Sequence, residues 1–258
     1  MLLALPFGLA IGLSLGALGG GGAVVALPVL VYVLGQDVHS ATTGSLAVVV
    51  AAALAAGTVQ ASHNRVCWPQ VGVFVPAALA GAVIGTLAGE AVSGTVLLIG
   101  FVPVLFAAAA FTWRRADGHG NGEVDRRCPA LDRDRALVAG FAVGALTGFF
   151  GVGGGFLVVP MLVLAMGFPL RAAIGTALVI VGFVSLAGLS AHLLRGSNLG
   201  VDVAATMAVA CALGAVAGAR FSERLPQRAL AHGFSVLLTV VGAYMLVEAA
   251  LFGGPPGA

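Results

Sequence analysis

The sequence contains few charged residues. Only 9% of its 258 residues are Asp, Glu, Lys or Arg, and all twelve basic residues are arginines. A soluble domain has about 25% charged and about 45–50% apolar residues, whereas this chain is 60% hydrophobic. Because so little charge could not cover the surface of a soluble protein of this length, the composition predicts a polytopic membrane protein embedded in the lipid bilayer.

Motifs for several kinds of chemistry are also missing. The cysteines Cys67, Cys128 and Cys211 have no CxxC spacing and no histidine cluster, so neither a disulfide framework nor a metal site is predicted. The absence of a GxxxxGK[ST] loop argues against ATP-driven chemistry, and no HExxH motif is present. Acidic residues balance the arginines of the central polar stretch, so no nucleic-acid partner is expected. No cofactor is predicted.

Two glycine clusters interrupt apolar runs in the same way. Gly19–Gly22 is followed by Pro28, and Gly151–Gly155, glycine except for Val152, is followed by Pro160. We call the displacement in residue number from Pro28 to Pro160 the repeat offset. The same offset superposes four more pairs of glycines: Gly8 on Gly140, Gly12 on Gly144, Gly16 on Gly148 and Gly35 on Gly167. The chain is therefore a duplication, and paired interrupted membrane segments indicate a transport site.

The polar stretch 114–135 divides the chain into two transmembrane repeats, 1–113 and 136–258. Each repeat contains five apolar segments, of which the second is short. The first two segments of the chain, Leu2 to Leu34, would together form a helix of about 50 Å, against a bilayer core of about 30 Å. The glycines must therefore break it, as a re-entrant hairpin or as two short spans.

The arginines favour one topology. If the two opening segments of each repeat cross the membrane once, eight arginines lie on one face and four on the other. If the opening segments turn back or cross twice, eleven arginines lie on one face and only Arg195 on the other. The positive-inside rule favours the second arrangement. This second arrangement corresponds to an all-α protein of two inverted repeats. Each repeat opens with a Gly-broken pair of short helices, which three transmembrane helices follow. The linker is then cytoplasmic and both termini lie outside.

No charged residue is predicted in the middle of the membrane, so a solute site there would consist of neutral dipoles. Short helices beginning after the glycine clusters would present unpaired N–H groups and the positive end of the helix dipole, which suits an anion. The glycines predicted to bind substrate are Gly20, Gly21, Gly22, Gly153, Gly154 and Gly155. Tight helix packing alone would also explain these glycines.

A second duplicated feature is rich in hydroxyl groups. Thr43 and Ser45 open the third apolar segment of the first repeat, and Gly175 and Thr176 open that of the second. Their hydroxyls could donate hydrogen bonds to an oxyanion beside backbone amides. The alternative is ordinary capping or back-bonding inside a membrane helix.

Two histidines close the same segments. His63 matches His192, and Gly85 matches Gly214, both at a displacement slightly shorter than the repeat offset. In an inverted repeat the two histidines would lie near opposite membrane faces. They are candidates for gating or proton coupling, with interfacial anchoring as the alternative.

These motifs resemble the TauE/SafE sulfite exporter family. The resemblance is carried by Gly16–Gly22 with Pro28 and by Gly148–Phe156 with Pro160, each followed by the hydroxyl-rich segment of its repeat. Thr43-Gly44 stands where this family more often has Gly-Thr, and Ala177 replaces a common serine. The resemblance implies a bacterial inner-membrane permease that exports small sulfur-containing anions such as sulfite or organosulfonates, rather than an enzyme.

The predicted function is therefore secondary transport by alternating access. A permease for another small anion or neutral solute is the first alternative. A membrane-embedded assembly factor or enzyme of sulfur metabolism is the second, and it would require a nucleophile, metal cluster or redox pair in the core. A channel is a further alternative, but the broken repeat favours alternation between two states.

Overall fold

The computed structural model of the chain describes residues 4–20, 22–23, 26, 29–30, 38–89, 94–118, 128–150, 155–194 and 201–252. In these ranges the regular secondary structure is entirely helical. The helices are α1 (Ala4–Leu18), α2 (Val38–Ser62), α3 (Trp68–Gly89), α4 (Gly94–Gly118), α5 (Arg133–Phe150), α6 (Gly155–Leu164), α7 (Leu170–Leu194), α8 (Val201–Ser222) and α9 (Gln227–Phe252).

Four of these helices, α2, α3, α7 and α8, contain stretches long and apolar enough to cross a membrane. A helix of 25 residues such as α2 is about 37 Å long, which exceeds the bilayer core. Apolar side chains are exposed as well as buried: Val83 is 63% exposed and Val138 70% exposed. Helices that are apolar on both sides are typical of a bundle in lipid, so the prediction of a multi-pass all-α membrane protein is confirmed.

The two halves of the chain contain matching helices. The repeat offset carries both ends of α2 onto both ends of α7, and each helix has 25 residues. Helices α3 and α8 both have 22 residues. The short helix α6 begins at a predicted glycine break, and Pro160 lies inside it.

The most extensive packing joins the halves through glycines. Helix α1 runs parallel to α8, with Gly12 against the backbone of Cys211. Helix α5 runs parallel to α3, with Gly144 against the backbone of Ala78 in the same manner. A Cβ at either glycine would overlap a carbonyl oxygen of the facing helix. Small residues thus let these backbones approach closely, as in many membrane helix pairs.

These contacts correct one predicted alignment. Gly85 faces the backbone of Ala145, and Gly218 faces the backbone of Leu13, which is the residue equivalent to Ala145. Gly85 therefore corresponds to Gly218, one position beyond the repeat offset, and not to Gly214. The predicted match was displaced by about one helical turn, because small residues recur every four positions along α8.

The helix bounds also correct the alignment of the histidines. The repeat offset pairs His192 with Gln60 and leaves His63 just beyond the end of α2. The backbone of His192 lies in the last turn of α7, and its side chain lies outside the described residues.

Helices α2 and α7 pack against each other in opposite directions. Gly57 faces Val179, Gly182 faces Ala53, and Gly188 faces Leu46. As the residue numbers increase along α7, the numbers of the residues that they contact in α2 decrease, so the two helices are antiparallel. The C-terminal end of α2 consequently lies beside the N-terminal end of α7, and His63 and the backbone of His192 lie at opposite ends of the pair.

One expectation about the cysteines was wrong. Cys67 and Cys128 form a disulfide across 61 residues of sequence, although spacing alone predicted no such framework. The two cysteines precede α3 and α5, which pack in parallel, so packing brings the preceding segments together. The side-chain amide of Gln70 donates to the carbonyl of Pro129 beside the disulfide, at 2.8 Å. Cys211 is free and buried.

Candidate functional site

The two glycine breaks meet inside the protein. A Cβ added to Gly20 would overlap the carbonyl oxygen of Gly155, and a Cβ on Gly155 would lie 3.0 Å from the carbonyl oxygen of Gly20. Both glycines are buried. Gly20 has a φ of +136°, which side-chain-bearing residues rarely adopt. The breaks of the two halves, far apart in the sequence, thus form one central contact.

Neighbouring glycines fix the chain on either side of this contact. Gly19 has a φ of +77°, and its N–H donates to the carbonyl of Leu15 at the end of α1. A Cβ on Gly19 would lie 2.8 Å from Cα of Ile174 in α7, and one on Gly22 would lie 2.6 Å from the carbonyl oxygen of Ile11. The first break is therefore packed between its own helix α1 and α7 of the other half.

The second break ends where α6 begins, at Gly155. The first N–H groups of a helix have no partner within that helix, and its N-terminal end carries a partial positive charge. This end of α6 lies at the central contact. Three of the glycines predicted to bind substrate, Gly21, Gly153 and Gly154, lie outside the described residues.

Gly175 and Thr176 tie the two halves together. The hydroxyl oxygen of Thr176 accepts a hydrogen bond from the backbone N–H of Cys67 at 3.1 Å, and Thr176 is fully buried. A Cβ on Gly175 would lie 2.7 Å from the carbonyl oxygen of Arg65. The second turn of α7 therefore holds the loop that follows α2, and Thr176 keeps its own O–H as a donor.

The corresponding residues in α2 differ from each other in exposure. Thr43 is fully buried. Ser45 is partly buried, and its hydroxyl donates to the carbonyl of Thr42 at 2.8 Å. For Ser45 the structure has the back-bonding arrangement that the sequence left open as an alternative.

A charged cluster joins the halves where α2 and α8 end. The carboxylate of Glu223 lies 3.2 Å from Nη1 of Arg65 and 3.3 Å from Nε2 of His63. Nη1 of Arg65 also donates to Oε1 of Gln60 at 3.1 Å. The Arg65 side chain is 15% exposed and that of Glu223 28% exposed, so water screens their attraction only partly.

Both ring nitrogens of His63 face oxygen atoms. Nδ1 lies 2.7 Å from the carbonyl oxygen of Val59, while Nε2 faces Glu223. A carbonyl and a carboxylate oxygen are both acceptors, and only the protonated ring has two N–H donors. The ring therefore bridges the end of α2 to the loop that follows α8.

Arg171 extends this cluster from the start of α7. Its Nη2 donates to the carbonyl oxygens of Leu225 at 2.9 Å and Glu223 at 3.4 Å. We call the end of the bundle that contains Arg65, Arg171, Glu223 and the Cys67–Cys128 disulfide the arginine face.

The sequence did not single out three of the polar residues at these positions. Glu223 lies between Arg220 and Arg224 in the loop before α9, and its position among arginines was the available signal. Thr147 and Ser185 line a small cavity beside Gly155. Lone hydroxyl residues in apolar helices carry no such signal. No cluster of three or more His, Cys, Asp or Glu side chains that could hold a metal occurs in the described part of the chain.

Comparison with known proteins gives a consistent result. The family described as "Sulfite exporter TauE/SafE" matches residues 4–245. A "Probable membrane transporter protein" of Xylella fastidiosa (strain 9a5c) is 30% identical over 246 residues, which cover 92% of this chain and 91% of that protein. A protein of the same description from Xylella fastidiosa (strain Temecula1 / ATCC 700964) is 35% identical over 183 residues, which cover 68% and 67% of the two chains.

A more distant relative is the "Probable membrane transporter protein YunE" of Bacillus subtilis (strain 168). It is 27% identical over 112 residues, which cover 43% of this chain and 41% of that protein. No solved structure matches the chain significantly. The family match spans nearly all the apolar helices, and the relatives are described as membrane transporters rather than enzymes. This chain is a multi-pass membrane transporter and belongs to the sulfite exporter TauE/SafE family.

Proposed function

We propose that the protein is a secondary transporter that exports small sulfur-containing anions, of the sulfite or organosulfonate type, across the bacterial inner membrane by alternating access. The observation that carries this proposal is the contact between Gly20 and Gly155, which places the breaks of both halves at one central point. Interrupted helices that meet near the middle of a bundle are a common way to build a transport site.

The two halves are proposed to be inverted repeats. This proposal is supported by the matching helices α2 and α7, which pack in opposite directions. It is also supported by the repeated pairings of α1 with α8 and of α5 with α3. In such a pair of repeats, rocking one half against the other closes one side of the site while opening the other.

The anion is proposed to bind through neutral dipoles. The described residues that line the cavity beside Gly155 include no charged side chain, so backbone N–H groups at the start of α6 would provide the positive end. Of the hydroxyl groups, that of Thr176 keeps its O–H as a donor, whereas that of Ser45 donates to Thr42 and would have to release this bond to bind the anion. The proposed set comprises Gly20, Gly21, Gly22, Thr43, Ser45, Gly153, Gly154, Gly155, Gly175 and Thr176.

The arginine face is proposed to be cytoplasmic, which places residues 114–135 in the cytoplasm and both termini outside. Eleven of the twelve arginines would then lie on the cytoplasmic side, as the positive-inside rule expects. His63 and His192 are proposed as gating or proton-coupling groups at opposite faces. On the cytoplasmic side the gate would include the contact of His63 with Glu223.

Export of an anion from a negative cell interior is electrically favourable, by about 2.3 kcal/mol per charge at 100 mV. The test is reconstitution into liposomes loaded with sulfite, with an imposed potential, and measurement of sulfite efflux. Sulfate and acetate serve as competing anions. Sulfite efflux that exceeds the flux of both and rises with the potential supports the proposal.

A flux of acetate or of a neutral solute in place of sulfite would instead support a permease for another substrate. No flux of any tested solute, in protein whose helical content and thermal unfolding are intact, would overturn the transport mechanism proposed.

A further inference from the structure

A small cavity lies beside the N-terminal end of α6, between α3, α5 and α7. Its volume is about 10 Å³, enough for about one water molecule. Gly155 lines it together with two hydroxyl residues, Thr147 of α5 and Ser185 of α7, and its other lining residues are apolar or glycine. The start of a helix and two hydroxyls thus border the same space.

Ser185 is a mostly buried residue whose side chain borders this cavity. The residue is 5% exposed, and no hydrogen bond joins its hydroxyl to any residue in the described part of the chain. Other helical hydroxyls bond to a preceding carbonyl, as Ser190 does to Ala187 and Ser235 does to Ala231. The O–H of Ser185 therefore remains available to donate to a ligand in the cavity.

Thr147 differs from Ser185 in what it can offer a ligand. Its hydroxyl donates to the carbonyl of Val143 at 2.6 Å. A hydroxyl has a single O–H but two lone pairs, so Thr147 is left as an acceptor. Ser185 can donate to an oxyanion oxygen, while Thr147 can accept from a ligand O–H.

The equivalent positions of the first half carry no hydroxyls. At the repeat offset, Leu15 takes the place of Thr147 and Ala53 takes the place of Ser185. Leu15 is fully buried and Ala53 is 2% exposed. An exact duplication would place the same residues at both sets of positions. The two hydroxyl residues therefore distinguish the cavity formed with α5, α6 and α7 from the equivalent place in the first half.

We propose that Ser185 and Thr147 bind the transported anion beside the start of α6 and select a singly protonated oxyanion such as hydrogensulfite. This inference rests on the proposed function and adds two specificity-determining residues to it. Sulfate at neutral pH carries no proton, so it cannot donate to Thr147 and would leave that acceptor unmatched. A sulfur oxyanion exceeds the space of one water, so it enters when the helices separate during the transport cycle.

The test uses the full chain with the substitutions Ser185→Ala, Ser185→Cys and Thr147→Val. Binding is measured as the concentration of sulfite or sulfate that raises the midpoint of thermal unfolding in detergent. Efflux of sulfite is measured in liposomes. The matched control is Ser190→Ala, which removes a hydroxyl of α7 that is exposed and bonded to its own helix.

Loss of one hydrogen bond to a charged ligand corresponds to about a tenfold or greater loss of affinity. We therefore expect Ser185→Ala to weaken sulfite binding by at least about that factor, and Ser185→Cys to lie between it and the wild type. Thr147→Val should lower the ratio of the affinity for sulfite to the affinity for sulfate. Ser190→Ala should behave as the wild type.

Three other outcomes are decisive. If the wild type binds and exports sulfite, and Ser185→Ala and Thr147→Val keep its affinity and its preference over sulfate, the hydroxyl assignment is wrong and the exporter proposal stands. If sulfite binding depends on Ser185 but no efflux occurs, the site stands and the export proposal falls. If folded wild-type protein neither binds nor moves sulfite, both fall.

Discussion

The backbones of Gly20 and Gly155 lie in close contact. A Cβ built on either glycine would meet the carbonyl oxygen and Cα of the other. Each glycine belongs to the break of a different half, and neither position has room for a larger residue without a shift of the chain. The contact is not symmetric, however. Gly20 has a positive φ of +136°, and a Cβ there would overlap a carbonyl oxygen.

Alanine at these two glycines should therefore have unequal effects. Gly20→Ala meets both a clash and an unfavourable backbone angle, so we expect sulfite efflux to fall by tenfold or more, on the order of 1.4 kcal/mol. Gly155→Ala adds a Cβ at 3.0 Å from the carbonyl oxygen of Gly20, which a small shift relieves, and should reduce efflux less. Initial efflux rates per folded transporter in liposomes measure the difference.

The control is Gly72→Ala in α3, where a Cβ would have no atom within 4 Å. Alanine is favoured over glycine in a helix by about 1 kcal/mol, so this variant should keep its efflux and unfold no earlier. Equal efflux for Gly20→Ala and Gly72→Ala would show that the central contact has no part in transport.

Glu223→Gln should loosen the arginine face. It removes the charge that holds His63 and Arg65 of the other half, while the shape is kept. Ion pairs of this exposure contribute about 0.2–1 kcal/mol, so backbone amides in 59–66 and 223–226 should exchange with deuterium up to about fivefold faster. Hydrogen exchange followed by mass spectrometry reports this directly.

Asp132→Asn provides the comparison, because the Asp132–Arg135 ion pair is local to the start of α5 and is exposed. Its exchange at 59–66 should equal that of the wild type. Unchanged exchange in Glu223→Gln would mean that the cluster does not hold this end of the bundle closed.

The redox state of Cys67 and Cys128 reports the side of the membrane on which the arginine face lies. The bacterial cytoplasm keeps protein thiols reduced, whereas the periplasm supports disulfides. For a cytoplasmic arginine face, we expect both residues to be alkylated as thiols in growing cells and to pair in isolated membranes after addition of an oxidant. Mass spectrometry after alkylation separates the two states.

Cys211, which is buried and free, should remain unpaired in both preparations and serves as the internal reference. A Cys67–Cys128 disulfide already complete in growing cells would place the arginine face outside and reverse the proposed topology.

Thr176→Val should destabilise the protein. The backbone N–H of Cys67 would lose its acceptor in a fully buried position, at a cost of about 1–3 kcal/mol. The midpoint of thermal unfolding should fall, and Thr176→Ser should restore it because the hydroxyl returns. If Thr176→Val unfolds at the wild-type temperature yet transports poorly, the hydroxyl acts on the solute and not on the loop.

The sequence determined the kind of molecule. With 9% charged residues and long apolar runs it specifies a helical membrane protein. The repeated glycines marked the two breaks, and the structure then showed that the breaks meet. The length of an apolar run is a local property, so the apolar helices and the glycine breaks between them were predicted from the sequence.

Only the tertiary structure decided which residues meet. The disulfide between Cys67 and Cys128, the pairing of Glu223 with His63, and the cavity at Ser185 all join segments far apart in the chain. No periodic pattern encodes them, because each depends on how helices of one half pack against those of the other. The register of Gly85 with Gly218 was likewise fixed by packing, since small residues every four positions allow several alignments that only close backbone contact distinguishes.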